Sequence, residues 1–200
     1  MSSARRPGRG DAAKGFRIVG SEVASSLGFL AVERLEVEVP DGSRHDRSVV
    51  RHPGAVGIVA VEPSGARALL VRQYRASIDG DLLEVPAGKR DVEGEPPDVT
   101  AARELEEEVG YRPGRLVKLA EFYNSAGFCD EYSHIYAALD IEPTAGARPE
   151  GPEESAMTLE WIELAEVEQL IASGALVDAK SIIGLLLTRR LLAGDYPGIA

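Results

Sequence analysis

The sequence lacks the residues that mark secreted or membrane-spanning proteins. Cys129 is its single cysteine, so no disulfide forms within the chain and a cytoplasmic setting is expected. The longest apolar run, residues 181 to 187, is far shorter than the roughly 20 residues that a membrane-spanning helix needs. We therefore expect a protein that is neither secreted nor inserted in a membrane.

Basic residues are also scarce. The chain has 22 Lys and Arg against 33 Asp and Glu, which gives a formal net charge of -11. A nucleic-acid-binding protein needs a clustered basic face, so we expect no nucleic acid partner. A small polyanionic substrate stays compatible with this charge where local basic groups or metal ions reverse the field.

The apolar residues that are present suffice for a core. A hydrophobic content of 44% fits one domain of ordinary size with a small appendage. Residues 1–14 offer almost nothing to bury and predict a disordered tail. The alternating stretch RLEVEV, residues 34–39, and the turn Pro40-Asp41-Gly42 predict a small antiparallel β unit over residues 15–50. The main domain is predicted over residues 51–195.

Strands and helices are mixed within the main domain. Residues 141–155 are rich in Pro, Gly and Glu and predict a long loop, of the kind that is usually functional. Strands are predicted at residues 56–61, 66–75, 116–122, 132–139 and 157–164, and two closing helices at residues 165–172 and 178–192.

A further helix is predicted in the middle of the domain. It begins at Pro97 or Asp98, a favourable first-turn pair, and ends at Val109, with Gly110 as its C-terminal stop. With about 100° of rotation per residue, the helix has an apolar side and an acidic side. The apolar side, expected to face the core, carries Ala102, Leu105 and Val109, and the opposite side carries Glu104, Glu107 and Glu108.

The acidic side is locally unfavourable. Like charges one turn apart cost a few tenths of a kcal/mol per pair, and the C-terminal end of a helix disfavours acids as well. One interpretation is a solvated helix face, and the other is a metal site, because Mg²⁺ takes hard oxygen ligands. Arg103, next to the cluster, is expected to pair with one carboxylate and fix its rotamer.

The stretch from Gly88 to Tyr111 resembles the signature of the Nudix hydrolases. That signature is a glycine, a glutamate, seven residues, and then Arg-Glu-apolar-x-Glu-Glu-x-Gly-apolar. Six residues separate Gly88 from Glu95, where the family usually has five, so we expect the path of this loop to differ. The later positions of the signature are occupied by Glu95, Arg103, Glu104, Leu105, Glu107, Glu108, Gly110 and Tyr111.

Four further stretches resemble the ADP-ribose pyrophosphatase branch of that family: RHPGAVGIVAV, LLVRQYR, LLEVPAG and NSAGFCDE. The resemblance implies hydrolysis of ADP-ribose to AMP and ribose 5-phosphate. Ala126 stands where members of the branch typically have proline. Another nucleoside diphosphate sugar, such as GDP-mannose, or a dinucleotide therefore stays open as the substrate.

The resemblance also implies a fold and a cofactor. The fold is α+β, a Nudix-type α/β/α sandwich with a mixed sheet, beside the small N-terminal antiparallel β unit. The cofactor is Mg²⁺, with Mn²⁺ as a substitute. The implied metal ligands are the carbonyl of Ala87 and the carboxylates of Glu104, Glu107 and Glu108.

Substrate contacts and a homodimer follow from the same resemblance. Arg75 is expected to contact a phosphate or a partner subunit, and Glu84 to orient the substrate. Asp130 and Glu131 are alternatively ordinary surface acids. The residues placed in a substrate-side loop are Gly127, Phe128, Asp130 and Glu131.

The general base is expected outside the signature, because a metal-bound carboxylate is a poor proton acceptor. The branch takes its base from a mobile loop downstream, which corresponds here to Glu153 and Glu154, with Glu154 favoured. Both are alternatively solvated loop acids. Arg103 completes the predicted catalytic set.

A nucleotide-sensing module that does not cleave its ligand is a third interpretation. Such a module is expected to have lost some of the metal-binding glutamates. This chain keeps all of them, which favours an enzyme.

Overall fold

The computed structural model describes residues 15–148 and 151–199. In these residues the chain forms two compact units. The first contains the described part of Met1–His52 together with Ser125–Asp130, and the second contains Pro53–Asn124 and the described part of Glu131–Ala200. The tail predicted over residues 1–14 lies outside the described residues.

The first unit is built on an antiparallel sheet whose described strands run in the order β1 (Arg17–Leu27), β2 (Leu30–Glu38) and β3 (Arg44–Arg51). The predicted turn joins β2 to β3. In it, Gly42 has a φ of 84° and donates its N–H to the carbonyl of Val39 at 2.9 Å. Because glycine adopts this left-handed φ without steric cost, Gly42 favours the hairpin, and the small β unit expected from the sequence is present.

Residues 125–130 extend the first unit, which nothing in the sequence indicates. The N–H of Val50 donates to the carbonyl of Phe128 at 2.7 Å, and the N–H of Asp130 donates to the carbonyl of Val50 at 3.1 Å. The carboxylate of Asp130 also accepts from Nη1 of Arg51 at 3.2 Å and from the N–H of His52 at 2.9 Å. These contacts link residues far apart in the chain, so only folding brings them together.

The second unit holds the remaining strands and the helices of the described residues. None of these helices combines the length and the apolar character that crossing a membrane requires. The strands are β4 (Ala55–Val61), β5 (Arg67–Arg75), β6 (Gly80–Glu84), β7 (Ala87–Lys89), β8 (Tyr111–Arg112), β9 (Arg115–Tyr123), β10 (Tyr132–Leu139), β11 (Glu142–Pro143) and β12 (Thr158–Glu163). The helices are α1 (Pro97–Val109), α2 (Gly151–Ala156), α3 (Val167–Ala172) and α4 (Ala179–Leu192).

The main sheet of this unit is mixed. Its strand order is β12-β5-β4-β10-β9, with β6 added on β5 and β7 added on β4. The β4 and β10 strands are parallel, whereas the other pairs of this sheet are antiparallel. A separate pair of short strands, β8 and β11, completes the described strands.

Helices cover both faces of the main sheet. Successive residues of a strand face opposite sides. Val56 of β4 packs in one apolar cluster with Leu105 of α1, and Val59 packs in the other cluster with Leu185 of α4. Full burial of a side chain such as Leu105 contributes about 1.5 to 3 kcal/mol. The arrangement is an α/β/α sandwich, so the predicted fold class is confirmed.

The stretch predicted as a loop, residues 141–155, contains two short elements in its described part, β11 and α2. The α2 helix has six residues, fewer than two turns. A helix this short shows no usable hydrophobic periodicity, which is why the sequence did not predict it.

Candidate active site

The acidic helix α1 has the predicted boundaries. Pro96 is extended, with a ψ of 145°, and Pro97 opens the first turn. At the other end Gly110 has a φ of 75° and donates its N–H to the carbonyl of Glu106 at 3.1 Å. Proline in the first turn and a left-handed glycine after the last are the two local signals that made this helix predictable.

The structure corrects the predicted faces of α1 at two positions. Ala101 is fully buried, whereas Ala102 is half-buried, so the apolar side is centred differently. Glu108, predicted on the acidic side, is only 6% exposed and lies beside buried Val109. The buried stripe is wide because α1 packs against both β4 and β7, so Glu108 is not a solvated acid.

The surroundings of Glu108 only partly stabilise a negative charge on its carboxyl group. Its Oε2 accepts the N–H of Ala87 at 2.8 Å. Burial raises its pKa to about 8; the Ala87 hydrogen bond lowers the pKa, and the charges of Glu154 and Glu104 raise it further. A buried acid with like charges around it is a frequent mark of a functional site. The Glu108 carboxyl therefore marks the centre of the candidate site.

The carboxyl of Glu104 lies directly against the backbone of Gly88. A Cβ placed on Gly88 would lie 1.9 Å from Cδ of Glu104, which is far inside van der Waals contact. Burial raises the pKa of Glu104, and Arg103 opposes that rise. The absence of a side chain at Gly88 thus makes the observed position of the Glu104 carboxyl possible.

The guanidinium of Arg103 contacts three carboxylates, so the prediction of one partner is too narrow. It lies 3.1 Å from Oε2 of Glu95, 2.9 Å from Oε1 of Glu104 and 2.8 Å from Oε2 of Glu107. Glu95 belongs to the loop before α1, and the other two acids belong to α1 itself. Arg103 therefore fixes the acids relative to each other and ties the loop to the helix.

Arg75 and Glu84, predicted as separate substrate contacts, form a pair with each other. Nε and Nη2 of Arg75 donate to the two oxygens of Glu84 at 2.5 and 3.0 Å. Glu84 is 1% exposed and also accepts from Nζ of Lys180 at 3.2 Å. The pKa of Arg75 is raised first by the hydrogen bond to Glu84 and, to a smaller extent, by the charge of Glu108. Arg75 therefore interacts electrostatically with the candidate site. Lys180 is far from Glu84 in the chain, and no motif pointed to it.

The two candidate bases lie in α2 and differ in their surroundings. Glu153 is exposed, whereas Glu154 is half-buried. The charge of Glu154 acts on the carboxyl of Glu108, which places the two acids near each other. The charge of Glu154 therefore acts at the candidate site, whereas Glu153 has no such effect on Glu108 among the causes that shift its pKa.

The predicted residues of the substrate-side loop are divided between the two units. Gly127, Phe128 and Asp130 belong to the first unit, where the side chain of Phe128 is 59% exposed. Glu131 belongs to the second unit, and its carbonyl accepts the N–H of Asn124 at 3.2 Å. The Asp130 carboxylate is engaged by Arg51 and is not an ordinary surface acid.

The acids of α1 fit a divalent cation in chemistry and charge. Among the described residues, no three His, Cys, Asp or Glu side chains are already gathered around one point that would hold an ion. In this structure Arg103 contacts Glu104 and Glu107, and the N–H of Ala87 donates to Glu108. The donors are hard oxygens, and a cation would stabilise the charged form of Glu108, which burial and then the charges of Glu154 and Glu104 disfavour.

The chain is similar to known proteins over most of its length. Residues 51–183 match the NUDIX domain. The chain is similar to the ADP-ribose pyrophosphatase of Mycobacterium tuberculosis strain H37Rv, with 37% identity over 180 residues, 90% of this chain and 86% of that protein. It is similar to the ADP-ribose pyrophosphatase of Bacillus subtilis strain 168, with 38% identity over 146 residues, 73% of this chain and 77% of that protein.

A solved structure of an ADP compounds hydrolase shares the fold. Its TM-score is 0.79 at 24% identity, over 92% of this chain and 98% of that chain. The match to the domain and the two relatives confirm the family predicted from the signature: the chain belongs to the Nudix hydrolases.

Proposed function

We propose that this protein uses Mg²⁺ to hydrolyse the pyrophosphate bond of ADP-ribose, releasing AMP and ribose 5-phosphate. The observation that carries the proposal is the surroundings of Glu108, whose buried carboxyl interacts with the charges of Glu154, Glu104 and Arg75. Hydrolysis of a pyrophosphate needs metal-binding acids, a base and a cation for the phosphates within one site. The choice of ADP-ribose as the substrate is supported by the two relatives that are named ADP-ribose pyrophosphatase.

The acids of α1 are the metal ligands in this proposal. A bound Mg²⁺ would neutralise charge on the pyrophosphate and would make a nearby water more acidic, and Mn²⁺ would take the same donors. Arg103 limits the freedom of the α1 carboxylates through its contacts with Glu104 and Glu107. The proposed ligands are the carbonyl of Ala87 and the carboxylates of Glu104, Glu107 and Glu108.

Arg75 binds a phosphate of the substrate. Nε and Nη2 of Arg75 are committed to Glu84, so the plane of the guanidinium is fixed. Among the described residues, none accepts a hydrogen bond from Nη1 of Arg75. The Arg75 side chain is 39% exposed. A guanidinium fixed on one edge offers its remaining N–H groups to a phosphate at low entropic cost. Glu84 thus orients the substrate through Arg75.

Glu154 accepts the proton of the attacking water. It is not among the proposed metal ligands, and it lies in the field of Glu108. A base must reach the water that attacks the phosphorus, which requires a side chain at the edge of the metal site. Glu153 is exposed on the same helix and is the weaker candidate.

The remaining substrate contacts rest on the resemblance. The resemblance assigns Gly127, Phe128, Asp130 and Glu131 to the substrate, and among them Phe128 has an exposed ring of the kind on which a nucleobase stacks.

We also propose a homodimer in the cytoplasm. β1 is an edge strand that exposes apolar side chains, with Ile18 at 63%, Val23 at 57% and Leu27 at 65% exposure. An exposed edge with apolar residues favours association, and a second copy of the chain is the partner that the resemblance implies. The single cysteine fits a reducing compartment.

The test is a panel of nucleoside diphosphate compounds with Mg²⁺, with products separated by chromatography. The panel contains ADP-ribose, GDP-mannose, other nucleoside diphosphate sugars and a dinucleotide. We expect ADP-ribose to have the highest kcat/KM and to give AMP and ribose 5-phosphate. The α1 variant Glu106→Gln should give the same substrate preference as the wild type, because Glu106 pairs with Arg112 and takes no part in the proposed chemistry.

Two outcomes contradict the proposal in different ways. A preference of about tenfold or more for a GDP-sugar, which is about 1.4 kcal/mol in transition-state binding, contradicts ADP-ribose and leaves the family intact. Ala126, in place of the usual proline, is the reason to include these compounds. Tight binding of the whole panel without hydrolysis would instead indicate the nucleotide-sensing module.

A further inference from the structure

The start of α4 is connected to the strand that carries Glu84 by a closed ring of polar contacts. Nζ of Lys180 donates to Oε2 of Glu84 at 3.2 Å and to Oδ1 of Asp178 at 2.7 Å. Oδ2 of Asp178 accepts the N–H of Ser181 at 2.9 Å and its hydroxyl at 2.6 Å. Oγ of Ser181 in turn accepts the N–H of Val85 at 2.8 Å, and Val85 follows Glu84 in the chain.

Every group of this ring is largely removed from water. Glu84 is 1% exposed, Asp178 is 9% exposed and Ser181 is fully buried. The pKa of Lys180 is raised: burial alone would lower it, and the charges of Asp178 and Glu84 outweigh burial. Lys180 is therefore held as a cation. A buried charge that loses its partner is strongly destabilising, so the contacts of the ring depend on one another.

The ring acts on the candidate site at two points. On one side, Glu84 fixes the plane of Arg75. On the other side, the backbone held at Val85 continues to Ala87, whose N–H donates to Glu108 at 2.8 Å. With Arg75 included, two cations face two carboxylates, Glu84 and Asp178. Loss of the Lys180 charge leaves this group with one net negative charge beside a site for an anionic substrate.

We propose that Lys180 is a positioning residue for the pyrophosphate of the substrate, that it acts through Glu84 on Arg75, and that Asp178 holds it in place. This inference rests on the proposed function of the site. Lys180 does not touch the reacting atoms in this scheme. It keeps Glu84 oriented so that the outer edge of Arg75 faces the phosphate, and it balances the charge of the group.

The test is a double-mutant cycle of Lys180→Met and Glu84→Gln, read as kcat and KM for ADP-ribose with saturating Mg²⁺. We expect Lys180→Met to raise KM more than it lowers kcat, with kcat/KM reduced about 10- to 100-fold, as for other supporting residues of active sites. Lys180→Arg keeps the charge and should recover most of the loss. Because Lys180 acts through Glu84, the double variant should lose no more kcat/KM than Glu84→Gln alone.

The matched control is Lys118→Met, which removes a lysine paired with Glu121 on β9. Its kcat/KM should stay within about twofold of the wild type. Thermal melts of all variants separate positioning from folding, because a structural role would lower the melting temperature and leave the KM of the folded fraction unchanged. If Lys180→Met is too unstable to assay, Lys180→Gln retains hydrogen bonding without the charge and enters the same cycle.

Two results would overturn the inference. One is a loss in the double variant equal to the product of the two single losses, which would mean that Lys180 and Glu84 act independently. The other is an unchanged KM in Lys180→Met together with a lower melting temperature. Failure of the proposed function is seen separately, in the wild type: if the panel identifies another nucleoside diphosphate compound, the cycle is measured with that compound and still decides the role of Lys180.

Discussion

Replacement of Glu108 by Gln tests two properties of this buried acid: its effect on the unfolding free energy and its role in metal binding and activity. Glu108 has a folded-state pKa of about 8, raised by burial from an ordinary value of 4.5. The folded state therefore keeps a proton that the unfolded state releases, and the unfolding free energy falls as the pH rises from 4.5 to about 8. Each pH unit in this window is worth about 1.4 kcal/mol, which gives at most about 3.5 kcal/mol at pH 7.

In the absence of metal, Glu108→Gln should therefore be more stable than the wild type above about pH 5, and the difference should grow up to about pH 8. A neutral Gln can still accept the N–H of Ala87, so the variant keeps that hydrogen bond and has no proton to lose. The measurement is a series of thermal or denaturant melts of both proteins across this pH range, with a chelator present.

With Mg²⁺ the order of stability should reverse near pH 6, where the deficit of the wild type is about 2 kcal/mol, whereas at pH 7 the difference should only shrink. A ligand that binds the folded state at about 100 times its Kd adds about 2.7 kcal/mol, and the variant loses much of this gain with the carboxylate. The rate with ADP-ribose should fall at least about 10²-fold in the same variant. Melts with and without Mg²⁺, and a rate at saturating metal, complete the assay.

Glu106→Gln is the matched control for both effects, since Glu106 lies on the same helix and pairs with Arg112 at 3.1 Å. It should change neither the pH dependence between pH 5 and about pH 8 nor the response to Mg²⁺. The reasoning would be refuted if the wild type and Glu108→Gln had the same pH dependence of stability. It would be refuted equally if Mg²⁺ raised both melting temperatures by the same amount.

Three further predictions concern the base, the metal site and the assembly. Glu154→Gln should lower kcat by roughly 10²- to 10⁴-fold with little change in Mg²⁺ affinity, and Glu153→Gln should lower kcat less. Equal, small losses of kcat in both variants would mean that the base is another residue. Gly88→Ala should displace the Glu104 carboxylate, because the added Cβ lies 1.9 Å from its Cδ, so activity should fall by about 10²-fold at a nearly unchanged melting temperature. Near-native activity of that variant would contradict the close contact. Sedimentation at micromolar concentration should give twice the chain mass of 21.4 kDa, and a monomer mass would count against the homodimer.

The parts of the fold that could be predicted are those with local signals. The α1 helix begins at a proline and ends at a left-handed glycine, and its apolar residues recur with a helical period. The β10 strand was predicted with its observed limits, because it is a short run of eight buried residues rich in apolar side chains. The α2 helix was missed, since a helix of six residues carries no periodicity.

The site was predictable only as far as its residues are neighbours in the chain. The acids of α1 are one turn apart, so their proximity follows from helix geometry alone. The partnership of Arg75 with Glu84 was not predicted, although the residues are close in sequence, because it depends on the pairing of β5 with β6. Glu84 and Lys180 are separated by 96 positions, and nothing in a single sequence links them.

By itself, the sequence determined the acidic helix and the carboxylates along it, because these follow from residue types at short spacings, and its resemblance to the Nudix signature indicated the family and the layered fold. Only the tertiary structure decided which of the acids is buried. Glu104 and Glu108 lie on the same helix, yet Glu108 has its pKa raised to about 8 since α1 packs it against the sheet and the backbone of Ala87. Burial and charge are properties of all the atoms around a group, and in Glu108 those atoms come from strands and helices distant in the chain.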